Sequence, residues 1–214
     1  MAGFDWSVLW CTLEVTGAAV LLSTLIGVPL GAWLGQSRSR GQRILTALVH
    51  TGMGFPPVVI GLAVYLLFSR TGPLGSIDWL FTPRAMIVAQ AVIATPLVMG
   101  ITAAAAAAVP TELLLQVRSL GASGWQARWA VLREARPGIV TAIAAGFGRV
   151  IAEVGAAQLV GGDIAGHTRV LTTAIVLETR MGHFAVAMAL GGWLIGLALL
   201  VNLLGTRLQG RPVP

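Results

Sequence analysis

The sequence predicts an all-α integral membrane protein with about five transmembrane helices, on three observations. Charge is scarce: of 214 residues, 56% are hydrophobic and only 10% charged, against roughly 25% charged in a soluble domain. The uncharged runs are long: residues 15–34, 85–110 and 185–205 carry no charged side chain, and about 20 apolar residues suffice to cross a hydrocarbon core of about 30 Å. The apolar residues do not alternate. A membrane barrel needs period-2 segments of about 10 residues, and the alanine run 103–108 has no such period. Helices are then the way to satisfy the backbone in lipid.

Taken in order, the spans are expected at 8–34, 44–68, 85–109, 138–160 and 184–204 of a single transmembrane domain, 1–214. The N-terminal Met1-Ala2-Gly3-Phe4-Asp5-Trp6 lacks the basic region of a signal peptide, so the first span is read as retained. Glu14, near its outer end, reaches for the headgroups. The lone Cys11 excludes an intrachain disulfide and a cysteine metal site. Pro56-Pro57 interrupts the second span by removing two donors. That pair is either a packing kink or a place where freed carbonyls face protein or a water-filled path. The third span adds Gln90 and Thr95-Pro96, polar and kinking groups at similar depth. The fourth carries Arg149 and Glu153. A charge inside the membrane costs about 2.5–3.5 kcal/mol even on the lenient insertion scale, but residues four apart share one helix face and can pair. Arg149 alone could snorkel to the inner headgroups; the deeper Glu153 could not. Gly146, Gly148, Ala152, Gly155 and Ala156 would let another helix approach closely, and a two-fold seam is expected there.

The net charge of +6 comes entirely from arginine. Because the arginines sit between apolar runs, they point to anionic lipid and orientation rather than to nucleic acid. Arg38, Arg40 and Arg43, the loop residues Arg118, Arg128, Arg133 and Arg136, and the tail residues Arg207 and Arg211 fall on one side of five alternating spans. Only Arg70, Arg84, Arg169 and Arg180 fall on the other. The arginine-rich side is the cytoplasm, with the N-terminus outside and the C-terminus inside.

Two connections are long enough to be functional: 110–137 inside and 161–183 outside. In the inner one, apolar residues at 113, 114, 117 and 120 keep helical spacing. Gly121 ends that helix, and Trp125, Trp129 and Leu132 restart the spacing. Two short helices meeting at a glycine corner fit either an amphipathic surface helix or a docking knob for a soluble partner, and the fixed bend favours docking.

At these residues the chain resembles a known family. Leu120-Gly121-Ala122-Ser123-Gly124-Trp125-Gln126, followed by Arg136-Pro137-Gly138-Ile139, is similar to the "EAA" loop of binding-protein-dependent ABC importer permeases. The usual Glu-Ala-Ala is here Leu115-Gln116-Val117, and the usual Leu-Pro is Arg133-Glu134. Pro56-Pro57-Val58-Val59, then Gly72-Pro73-Leu74-Gly75, resembles the molybdate, tungstate and sulfate permeases. Arg149 through Gly155, with Gly161-Gly162-Asp163-Ile164-Ala165-Gly166-His167-Thr168-Arg169, is similar to the tungstate type and more loosely to the molybdate type.

The resemblance implies a molybdate- or MetI-like permease fold in the cell's inner membrane. It also implies a homodimer, a cytoplasmic ABC ATPase and a periplasmic or lipid-anchored binding protein. The cargo implied is a tetrahedral oxyanion: tungstate first, molybdate or sulfate as alternatives. Glu112, Arg118, Gly121, Ala122, Ser123, Trp125, Arg133 and Glu134 are the expected ATPase-coupling residues. Pro56, Pro57, Gln90, Thr95, Arg149, Glu153 and Gly155 are the expected path or gate residues. A bare carboxylate would repel an oxyanion, so Glu153 is cast as the structural partner of Arg149. No cofactor is expected in this chain: it lacks the Gly-x-x-x-x-Gly-Lys-[Ser/Thr] phosphate loop, so the partner would bind ATP. His167 has no second histidine at ligand spacing and is read as a surface residue, with no metal site. An integral-membrane enzyme would need convergent His, Asp or Glu residues, which are scattered here, and a stand-alone channel would need no docking loop.

Overall fold

The structure is a computed structural model in which residues 5–37 and 40–208 are described. Arg38, Arg211 and residues 1–4, on which the orientation and the retained N-terminus partly rest, lie outside them, as does the side chain of Arg40. The described residues fold into helices with no strand.

Helix α1 (Trp6–Gln36) starts where the Asp5 carboxylate accepts the Ser7 N–H at 3.0 Å, an N-cap that satisfies one orphan donor. Its Gly27, Gly31 and Gly35 recur every fourth residue and seat the helix Pro83–Ala107 at backbone range. A Cβ on Gly27 would lie 3.1 Å from Val98, on Gly31 2.9 Å from Thr102, and on Gly35 3.0 Å from Ala106. This is the small-residue packing of membrane helices. The paired numbers rise together, so the two helices run parallel.

Parallel neighbours require the chain between them to cross back. That crossing is α2 (Arg40–Met53) followed by α3 (Pro57–Phe68). Leu45 and Val49 of α2 pack at Met99, while Val64 and Phe68 of α3 pack at Ala85, Met86 and Ala89. Together the pair therefore spans the length of the following helix, α4 (Pro83–Ala107). The expected span 44–68 is not one kinked helix: its halves are bent by 97°. The cause lies in the prolines. Pro56 precedes a proline, which disfavours the helical region, and it adopts φ −62°, ψ 121° as the cap of α3.

After α4 come two short helices, α5 (Thr111–Ser119) and α6 (Gly124–Glu134), then α7 (Arg136–Ile151) and α8 (Gly155–Gly161). The expected span 138–160 is likewise broken, with a 62° bend at 152–154. Gly146 faces Val98 and Gly161 faces Met86, so α7–α8 runs antiparallel to α4. The small residues expected at a two-fold seam are thus partly used inside the chain: Gly61 of α3 would place a Cβ 2.7 Å from the Ala156 Cα. Gly148 instead faces open space. A short α9 (Leu171–Arg180) leads to α10 (Phe184–Leu208). Leu190 of α10 packs with Val8, and Gly205 lies by Val140 and Ala144, so α10 parallels α1. The result is three long helices and two bent pairs, five crossings where each bent pair counts as one span, with α5–α6 at the end where α1 and α10 finish and α9 at the end where α1 begins.

Candidate functional site

The α5–α6 corner is built entirely from local rules. Leu120 caps α5 and Gly121 follows at φ 86°, a left-handed conformation that glycine adopts without Cβ penalty. The Ala122 N–H donates to the Val117 carbonyl at 3.2 Å and the Gly121 N–H to the Arg118 carbonyl at 3.0 Å, the two bonds of a Schellman motif. Ser123 then opens α6 with a capping box: its hydroxyl accepts the Gln126 N–H at 3.3 Å, and the Gln126 side-chain oxygen accepts the Ser123 N–H at 2.7 Å. Val131 anchors the pair on Ala32 and Ala106. The corner projects apolar side chains: Leu120 is 87% exposed and Trp125 72%. Glu112 and Arg118 lie exposed in the first and last turns of α5, Ala122 is half-buried, and Arg133 and Glu134 are exposed at the end of α6.

The second group gathers where the two helix breaks meet. Helix α7 ends at Ile151, so Arg149 and Glu153 do not share one continuous helix face as expected; Glu153 lies in the break. They still pair, Arg149 NH1 to Glu153 Oε2 at 3.4 Å. Glu153 is only 7% exposed and Arg149 35%. The other carboxylate oxygen, Oε1, accepts the Ala156 N–H at 3.2 Å at the start of α8, and the Thr172 hydroxyl of α9 donates to the Glu153 carbonyl at 2.9 Å. Backbone groups freed by the break are thereby satisfied, as lipid requires. Gly155 lets α3 in: a Cβ there would sit 2.6 Å from Val58. Val58 therefore stands against Gly155 and Gly61 against Ala156; Pro56 is exposed and Pro57 half-buried at the start of α3, and Val58, Val59 and Leu62 are exposed.

Gln90 and Thr95 are placed differently. Gln90 is 2% exposed, with its side-chain oxygen buried and unpartnered. The Thr95 hydroxyl donates to the Ala91 carbonyl of its own helix at 2.7 Å. At the opposite end, Asp163 (φ 52°) accepts from Arg169 Nε at 3.1 Å, which ties down a loop whose tip, Ile164 to His167, is exposed. Glu14 and His167 share a small cleft of about 300 Å³ with Asp78 and Arg84.

Three features went unread in the sequence. The Gly27-x-x-x-Gly31-x-x-x-Gly35 spacing was the clearest available signal for the tightest helix approach. Ser123-x-x-Gln126 carried the capping-box pattern. Thr172 left no local signal, since its partner lies far away along the chain.

Comparison with known proteins follows the same geometry. Residues 27–211 match the family described as "Binding-protein-dependent transport system inner membrane component". The chain is 42% identical over 210 residues to a probable anion ABC transporter permease protein of Haloferax volcanii, covering 96% of this chain and 90% of that protein. It is 34% identical to the tungstate uptake system permease protein TupB of Peptoclostridium acidaminophilum, covering 94% and 90%. Among solved structures, an inward-facing MetNI methionine ABC transporter shares the fold, with a TM-score of 0.78 at 24% identity over 95% of each chain. The expected MetI-like permease fold is therefore present, and the chain belongs to the binding-protein-dependent inner membrane components, the permease subunits of ABC importers.

Proposed function

We propose that this permease carries a tetrahedral oxyanion, tungstate before molybdate or sulfate, into the cytoplasm as a homodimer driven by a separate ABC ATPase and fed by an external binding protein. The observation that carries the reading is the α5–α6 corner. A left-handed glycine and two reciprocal caps hold Leu120 and Trp125 out in water, an arrangement that costs apolar exposure unless a partner covers it. The arginine bias supports placing this corner inside the cell. The names of the relatives, one an anion permease and one a tungstate uptake permease, support the anion. Five crossings are few for a sealed path. The exposed face of Val58, Val59 and Leu62, with Val58 packed on Gly155 at the break, fits a second copy, with the path between the two.

The mechanism proposed is alternating access. Closure of the ATPases moves the corners, and the helix breaks let the crossings rock without unwinding. Arg149, held by a single contact to Glu153, supplies positive charge where an oxyanion passes, while Glu153 is masked by the Ala156 N–H.

The test is ATP-dependent uptake by proteoliposomes holding permease and ATPase, with tungsten, molybdenum and sulfur measured by mass spectrometry. Leu120→Glu should lose the ATPase on co-purification and abolish uptake. Uptake by the permease alone would refute the reading, and uptake of molybdate in preference to tungstate would reassign the cargo. Labelling of Leu120→Cys in a Cys11→Ser background, in right-side-out vesicles, tests the orientation: labelling from outside would overturn it.

A further inference from the structure

We infer that the face of the α5–α6 unit turned toward α1, which adjoins the docking corner at Arg118 and Trp125, is a binding site for an anionic phospholipid of the inner leaflet. The inference rests on the reading that this loop is cytoplasmic. A cleft of about 750 Å³ lies between the last turns of α1 and the two short helices, within the size range of ligand sites. Its α1 wall is apolar and belongs to an uncharged stretch, with Leu25, Val28 and Pro29 leading down to Trp33. Its other wall brings Arg118 from α5 and Arg128 from α6, flanked by Trp125 and Trp129. Neither arginine has an acidic partner among the described residues. Thr24, deeper along α1, lines the same cleft with a buried hydroxyl oxygen that also lacks a partner.

These walls match one ligand in order of depth. Acyl chains suit the Leu25–Pro29 surface, Trp33 and Trp129 suit the glycerol level as tryptophans do in interfacial belts, and the two guanidinium groups meet a phosphate. Arginine is the residue suited to that contact, because its fork binds phosphate oxygens in pairs. A soluble partner would have to push into hydrocarbon to fill the same space, because half of the lining comes from a membrane-spanning helix. The lipid would brace α6 against α1 and so stiffen the unit through which the ATPase pushes.

The test uses the permease–ATPase complex purified in detergent, mixed with equimolar phosphatidylglycerol and phosphatidylcholine, and read by native mass spectrometry for retained lipid. Each basic residue near an anionic lipid contributes about fivefold. The wild type should therefore prefer phosphatidylglycerol about 25-fold and Arg128→Gln about fivefold, while Arg180→Gln, at the other end of the bundle, should match the wild type. In nanodiscs, phosphatidylglycerol should raise ATPase activity several-fold for the wild type and less for Arg128→Gln. Equal retention of the two lipids by the wild type overturns the inference. An equal fall in Arg180→Gln also overturns it, because net charge would then explain the preference. Displacement by millimolar inorganic phosphate overturns it as well, by making the site one for free anions. Failure of the wild-type permease to hold its ATPase would instead sink the docking reading, so the two failures are distinguishable.

Discussion

Replacing Glu153 with alanine removes two bonds at one point, and the two can be separated. The first is the cap on Ala156, whose N–H donates to Oε1 at 3.2 Å in a buried setting. Orphaning a buried donor costs about 1–3 kcal/mol. The second is the pair with Arg149 at 3.4 Å. Its gross Coulomb attraction is about 5 kcal/mol at an effective dielectric of 20 and about 1 kcal/mol in water. Arg149 is 35% exposed while Glu153 is 7% exposed. Screening at one end and desolvation at the other therefore reduce the net coupling to about 1–2 kcal/mol. Glu153→Gln keeps an oxygen for Ala156 and loses only the pair. With about 2–4 °C per kcal/mol for a chain of this size, alanine should lower the melting temperature of the assembled complex by about 10 °C and glutamine by about 4 °C. A double-mutant cycle with Arg149→Gln should return the coupling directly. Equal losses for the two Glu153 variants would show that the cap contributes nothing. A coupling of zero would show that Arg149 is held by something other than Glu153, and the assignment of Glu153 as its partner would fall.

Other perturbations test other joints. Gly31→Leu drives a side chain into the Met99 carbonyl and Thr102, so it should destabilise by at least about 1–3 kcal/mol, seen as a lower melting temperature. Gly148→Ala, which faces open space, should change the same temperature by little. Thr172→Val removes the hydroxyl that satisfies the Glu153 carbonyl and should cost about 1 kcal/mol while leaving the Arg149 pair measurable in the same cycle. Ser123→Ala removes half of the capping box at about 1 kcal/mol; with the corner loosened, less ATPase should co-purify.

The sequence made the crossings legible because lipid imposes one rule on all of them: long uncharged runs with the backbone satisfied internally. It made the Gly121 corner legible because a left-handed glycine is a local event, complete within the helix it ends. The break at 152–154 was illegible for the opposite reason. Nothing in Val150 to Gly155 forbids a continuous helix. The break is held by Thr172 and by the close approach of Val58 to Gly155, both remote in sequence. The Arg149–Glu153 pair was legible as a pair but not as geometry, since four-residue spacing fits a helix and also happens to fit the break. Gln90 was singled out for polarity at depth, and polarity alone does not tell which way a side chain points.

The placement of the break also decides what the corner can move. Between α6 and α7 there is one residue, Ala135, and a bond from each helix ends on it: its N–H donates to the Val131 carbonyl at 2.8 Å, and its carbonyl accepts from the Ile139 N–H at 3.0 Å. Pro137 has no N–H to carry the ladder on, so this junction is itself a joint, tied on both sides at Ala135. A push at Leu120 passes through α6 and this junction and then along about 24 Å of α7. The next joint is 152–154, with Arg149 on one side and the masked Glu153 within it, and with the break at Pro56 packed close by through Val58 on Gly155. Between its two joints α7 is the stiff element, and displacement passed to it emerges at 152–154. The group displaced is the only cation within the crossings that is both half-exposed and held by a single side-chain contact among the described residues. Under the proposed docking, the corner acts on Arg149 through α7, with no contact between the two among the described residues.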